Sequence, residues 1–228
     1  MLSSLDWIAD DTRLYKQVQN ITDSNELQQD LDSIYKWTND NNMSFNSNKF
    51  QCLCLSTNQC ECQNYADSNK NDIIVTKSVK DLGIYLSHDL TFQTQIIDLH
   101  KRTSQLCGWV LRTFISRNFF LMLQLFKSLI LSRLDFGSQL WSPHKLFLIS
   151  KVEKVQRSFT KHIDGMQHLS YPERLKALKL YSLQRRRDRY IIIYAWKIAE
   201  KLVPNMHSPL KTIYSSCSRC LFEVVLVR

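Results

Sequence analysis

Glycine and proline are scarce, four of each in 228 residues, which argues against collagen-like, linker-like and turn-dense all-β chains and favours long helices. Long hydrophobic runs are also missing. The most apolar stretch, residues 119–131, is interrupted by Gln124 and Lys127 and is too short to span a bilayer. The N-terminus MLSSLDWIADD has no basic stretch leading into an apolar one, so neither a signal nor a transit peptide is expected. The chain therefore reads as intracellular, cytoplasmic or nuclear, and not secreted. Seven cysteines in such a setting are expected to be reduced thiols, and an odd number does not close a disulfide framework. Cys52-x-Cys54 and Cys60-x-Cys62 lack the two-to-four-residue gap of a zinc knuckle. Read plainly, Cys52 and Cys54 alternate along a strand as small apolar residues. The loop DSNKND starts like a calcium loop but lacks the glycine and the closing glutamate that calcium needs.

Apolar residues make up 44% of the chain and charged residues 22%, enough to bury a core. Charge is unevenly spread. Through Leu99 there are 7 Lys and Arg against 14 Asp and Glu, and beyond it 23 against 7, so the halves carry net charges of −7 and +16. A basic half of this size faces a polyanion, nucleic acid in the first instance, although an anionic membrane surface fits the same charge.

The patterning also changes between the halves. Two strand-like pieces surround Ala9-Asp10-Asp11-Thr12, placing the acids at a hairpin tip. A helix capped by Asp23 or Ser24 follows, with Leu27, Leu31, Ile34 and Thr38 on one face, and runs out at Asn39-Asp40-Asn41-Asn42. Short β-compatible runs come next at 43–46, 49–55, 73–76 and 79–86. From Thr91 the period is helical. One stripe holds Ile96, Leu99, Trp109 and Val110, a second Met122, Phe126 and Ile130, and a third Leu148, Val152, Val155, Phe159 and Ile163. Ser170-Tyr171-Pro172-Glu173 reads as a capping box. A last helix carries Arg185-Arg186-Arg187-Asp188-Arg189 near its start and ends before Pro204. The expected fold class is α+β: a small mixed region over 1–90 (hairpin, helix, short strands), a helical bundle over 91–203, and an irregular, loosely attached tail over 204–228. Tryptophans on helical stripes are assigned to packing.

The string IADDTRLY, the stretch YKWTNDNNMSFNSNKFQ and the segment VKDLGIYLSHDL, in this order, resemble the reverse transcriptases of LINE-type, non-LTR retrotransposons. The likeness continues through RTSQLCGWVLRTF, LILSRLDFGSQLWSP, KVEKVQRSFTKHI and LSYPERLKALKLYSLQRRRDRYIIIYAWKI to LVPN, covering residues 5–205. The resemblance implies the C-terminal part of a polymerase palm followed by a helical thumb. It further implies an RNA-directed DNA polymerase that works on an RNA template, a DNA primer and deoxynucleoside triphosphates by a two-metal mechanism with Mg²⁺. By the same resemblance Asp10 is a catalytic metal ligand, and Asp11 supports it. Lys49 either assists the leaving pyrophosphate or is a solvated lysine in a polar loop. Leu82 and Gly83 form the primer grip, the glycine letting the backbone approach nucleic acid.

The family's chemistry also needs an Asp on an upstream palm strand and a fingers region, and only seven residues precede Ile8. The expectation is weak Mg²⁺ binding and no polymerisation by this chain alone. The family's aromatic before the Ala-Asp-Asp box is Ile8 here. Past Asn205 the likeness is lost, as a reading-frame shift in a decayed element copy would produce. In the basic half, Lys154, Arg157 and Lys161 share one helix face, as do Arg185 and Arg189, and both sets can track phosphates. The alternative function is a non-catalytic nucleic-acid-binding helical module.

Overall fold

The computed structural model describes residues 4–8, 11–46, 49–55, 63–203 and 221–227, with the backbone alone for 4–8, 11 and 221–227. Secondary structure is mixed α and β, divided between two units: Met1–Leu90 with Pro209–Arg228, and Thr91–Ser208.

In the first unit, β1 (Ser4–Ile8) and β2 (Asp11–Val18) pair antiparallel, with Ile8 opposite Asp11. Helix α1 (Ile21–Asp40) follows. Its N-cap is Asn20 and not the expected Asp23 or Ser24. The Asn20 side chain accepts from the Asp23 N–H at 2.9 Å, and Asp23 Oδ2 accepts from the Asn20 N–H at 3.3 Å, a reciprocal box that uses Asp23 as the third helical residue. The stripe Leu27, Leu31, Ile34 and Thr38 is buried. Strands β3 (Gln51–Leu55), β4 (Ile74–Thr76), β5 (Ser78–Asp81) and β6 (Ile84–Ser87) complete the elements up to Leu90, while 43–46 forms no strand.

The sheet order is β1-β2-β7-β3-β4, where β7 is Leu221–Val227. The tail over 204–228, read from sequence as irregular, therefore supplies a strand that pairs antiparallel with both β2 and β3. LFEVVLV is a nearly continuous apolar, β-branched run, the composition of a central strand, and such a run has no alternation to announce it.

Core forms on both faces of β3. Cys52 joins Leu14, Leu27, Leu31, Phe50 and Tyr65 in one cluster, and Leu53 packs with Val79, Leu55 and Leu86 in another. Cys52 and its neighbour Leu53 thus face opposite clusters, as alternation along a strand requires, because α1 covers one face of β3 and the β5–β6 hairpin the other. Cys54 is disulfide-bonded, against the expectation of reduced thiols, whereas Cys52 and Cys107 are free and buried. Spacing along a strand does not fix such a pairing, which depends on which Cβ atoms the fold brings together.

Every described element of the second unit is helical: α2 (Gln93–Thr113), α3 (Phe119–Leu125), a π-helical stretch Phe126–Leu131, α4 (Ser132–Asp135), α5 (Ser138–Trp141), α6 (Leu146–Thr160), α7 (Tyr171–Ala177) and α8 (Leu183–Ala199). Helix α6 packs against α2 and α8. Phe159 on α6 lies 5.3 Å, centroid to centroid, from Phe126. The third stripe is buried throughout, at Leu148, Val152, Val155, Phe159 and Ile163. Of the tryptophans assigned to packing, Trp141 is fully buried, but Trp37, Trp109 and Trp196 are about half exposed, at 46%, 49% and 55%. Helical spacing puts an aromatic on a stripe without deciding how wide the covered face is.

Candidate functional site

Two hairpins of the first unit carry residues that the resemblance singles out. Asp11 opens β2 opposite Ile8, while Asp10 lies outside the described residues. Two residues along β2 from Asp11, Arg13 places Nε 3.0 Å from Oδ2 of the buried Asp81 at the end of β5. This ion pair ties the Asp11 hairpin to the β5–β6 hairpin, and neither partner was singled out from sequence. Between Asp81 and Ile84, which face each other in the ladder, Leu82 and Gly83 form a two-residue turn with φ of 44° and 84°. Positive φ at both positions is the type I′ turn, which matches strand twist and suits Asn-Gly. Leu82 is therefore held in an unfavourable conformation for a branched side chain, and it is 44% exposed. Lys49 is exposed two residues before β3, and among the described residues its side chain makes no hydrogen bond or ion pair.

Magnesium prefers near-octahedral oxygen ligation. Among the described residues no three His, Cys, Asp or Glu side chains converge into a group able to hold a metal. The described residues therefore do not supply a Mg²⁺ cage, and no chemical step at Asp10 and Asp11 follows from this structure.

The second unit brings Lys154, Arg157 and Lys161 onto the wall of one cavity of about 440 Å³. All three are exposed. The floor adds a cation that sequence reasoning missed, Arg174 of α7, only 5% exposed. Its guanidinium donates to Leu169 O at 2.7 Å, Arg157 O at 3.2 Å and Thr160 Oγ1 at 3.3 Å, all neutral acceptors. Tyr171 also lines the cavity, its ring facing the guanidinium carbons of Arg157 at 4.8 Å and Arg174 at 5.6 Å. No carboxylate belongs to the lining. Among the described residues none of the four cations is ion-paired. Arg174 sits one turn after Ser170, where the expected capping box with Glu173 forms. The signal that could have found it was a lone arginine among the apolar positions of a short helix.

Behind this wall lies Glu153, 8% exposed. Its carboxylate accepts from the Tyr171 hydroxyl and from the Leu183 N–H at 3.1 and 3.2 Å, with the Gln184 N–H at 3.4 Å. The Ser182 hydroxyl accepts from the Arg185 N–H at 3.2 Å, so the first three N–H groups of α8 all have acceptors. Burial first, and then the Glu153 carboxylate, raise the Tyr171 phenol well above its ordinary value, which keeps it a neutral donor.

The arginine run of α8 divides. Arg185 and Arg189 are exposed, the former stacked 4.8 Å from the Tyr181 ring. Arg186 turns inward and grips Asp135 at 2.5 and 3.3 Å while donating to the Tyr190 hydroxyl at 2.8 Å. Arg187 is 2% exposed, 6.0 Å from the Trp141 ring, with no hydrogen-bond partner for Nε, Nη1 or Nη2 among the described residues. A basic run reads from sequence as surface, and here Arg187 is interior and Arg186 only partly exposed. No helix among the described residues is long and apolar enough to cross a membrane.

No family model, curated protein or solved structure matches the chain significantly.

Proposed function

We propose that the chain is the C-terminal palm and thumb part of a non-LTR reverse transcriptase, and that its own activity is to hold nucleic acid through the basic face of residues 91–203. The ordered strings from IADDTRLY to LVPN support the family. The observation that carries the activity is the meeting of Lys154, Arg157 and Lys161 on one cavity wall without a carboxylate. Cations paired with carboxylates gain little from a phosphate, whereas unpaired ones release counterions from it. The exposed Trp109 and Trp196 add π-faces to the same unit. RNA template and DNA primer are the partners.

Nucleotidyl transfer belongs, in this reading, to the full-length family, where Mg²⁺ would be held by Asp10 and Asp11 together with further oxygen ligands. As the simpler form of the same proposal, the chain is a non-catalytic binding module. Primer extension separates the two: extension abolished by Asp10→Asn requires a polymerase, and none is expected from this chain alone.

Binding is tested with the full chain and a fluorescein-labelled primer–template by anisotropy at low salt. The charge-reversed variant K154E/R157E/K161E should bind at least tenfold more weakly while keeping its helical circular dichroism. Equal affinity of the two proteins would overturn the proposal.

A further inference from the structure

The cavity gathers more positive charge in one place than a face tracking internal phosphates requires. Taking the nucleic-acid reading as given, we propose that it is a socket for a phosphomonoester dianion, the terminal phosphate of an oligonucleotide or the phosphate of a free mononucleotide.

Lys154, Arg157, Lys161 and Arg174 converge on one volume of about 440 Å³ with no carboxylate in its lining. An internal phosphodiester carries one negative charge, whereas a phosphomonoester carries between −1.5 and −2 at neutral pH and presents three terminal oxygens. The dianion leaves less mutual repulsion among four cations.

A guanidinium has five N–H donors, and Arg174 uses them on three neutral oxygens, leaving two in a group only 5% exposed. One of the oxygens it covers is Arg157 O in the last turn of α6. A helix C-terminus repels anions through its free carbonyls, and this bond covers one of them beside the cavity. The Arg174 charge itself is not neutralised.

The cavity is an open groove of about 440 Å³, large enough to seat a phosphate together with the nucleoside attached to it. Leu169 and the Tyr171 ring provide an apolar wall beside the cations, suited to a sugar or base attached to the phosphate. Tyr171 is fixed by its hydroxyl on Glu153 and by Arg157 against its ring, so the wall is set before any ligand arrives.

The test uses the full chain and two single-stranded hexanucleotides of the same sequence, one with a 5′-phosphate and one with a 5′-hydroxyl, with thymidine monophosphate, thymidine and inorganic phosphate as competitors. The 5′-phosphorylated strand should bind at least tenfold more tightly, and Lys161→Gln, an exposed change that leaves the core intact, should remove most of that preference. Arg174→Lys, which keeps the charge and loses the fork, should reduce it also. Competition by the monophosphate but not by thymidine supports the socket and marks free mononucleotides as a second source, and competition by inorganic phosphate alone assigns recognition to the phosphate itself. Equal binding of the two strands overturns the socket while leaving nucleic-acid binding intact. Binding of the monophosphate with no binding of either strand supports the socket and removes the nucleic-acid reading. Failure to bind any of them overturns both.

Discussion

Glu153→Ala removes one carboxylate that three groups share. The Leu183 N–H at 3.1 Å and the Tyr171 hydroxyl would each lose their acceptor; Leu183 is buried, whereas Tyr171 is half-buried at the cavity wall. A buried donor left without a partner costs about 1–3 kcal/mol, in full for the Leu183 N–H and in part for the half-buried hydroxyl, so the two together cost roughly 2–4 kcal/mol. Gln184 is exposed, and its N–H at 3.4 Å finds water instead. Loss of an anion at the α8 N-terminus adds about 0.3–1 kcal/mol. Arg187 makes the effect larger. Burial pushes its guanidinium below the ordinary value, and the Glu153 charge is the first influence opposing that shift. Against these stands the relief of desolvating Glu153 itself, leaving a net destabilisation of about 3 kcal/mol, a large share of a typical domain's stability. Urea unfolding of the full chain by circular dichroism measures the change, and amide exchange at Leu183 and Gln184 localises it. A double replacement, Glu153→Gln with Arg187→Met, removes both buried charges and should cost less than the sum of the singles. A Glu153→Ala loss below about 1 kcal/mol with unchanged exchange at Leu183, or additive singles, would show that Glu153 is not the shared acceptor that holds α7 and α8.

Further expectations come from single sites. Leu82→Asn relieves the positive φ at the β5–β6 turn and should stabilise the first unit by roughly 0.5–1 kcal/mol in urea titration; a loss of stability would show that the Leu82 side chain is held by contacts. Burial pushes the Cys107 thiol up to about 12, so at pH 8.5 only roughly one in 3,000 molecules carries the thiolate; mass spectrometry should find it unmodified by iodoacetamide in the native chain and modified in urea. The Ser170 hydroxyl and N–H hold the Glu173 carboxyl below its ordinary 4.5. Its contribution is therefore complete above that value and is lost as pH falls through the lower folded value. Glu173→Gln should flatten the acid limb of the stability curve, and an unchanged limb would discount the capping box.

Much of the architecture was legible because periodicity reports it. The α1 and α6 stripes are buried where the spacing of their leucines, valines and phenylalanines puts them, and the Ser170–Glu173 box carries its own local signature. Strand β7 was not legible, since a continuous apolar run has no period and its partners, β2 and β3, lie far away in the chain. The exposed Trp109 and Trp196 illustrate another limit: a stripe gives direction but not the extent of cover. At the candidate site, i, i+3 and i, i+4 spacing was enough to join Lys154, Arg157 and Lys161. Arg174, Arg187 and Glu153 escaped because their roles depend on burial against distant elements, which composition does not encode. Asp10 lies outside the described residues, so its place beside Asp11 rests on the sequence pattern.

If the exposed cations Lys154, Arg157 and Lys161 contact phosphates directly, binding must depend steeply on salt. On duplex DNA without terminal phosphates, where Lys154, Arg157 and Lys161 each neutralise one internal phosphate, log affinity should fall with log salt at a slope of about −2.7, reaching about −4.5 if Arg185 and Arg189 also engage. Lys161→Gln should make the slope shallower by about one unit. A slope near zero, or one that Lys161→Gln leaves unchanged, would contradict direct contact.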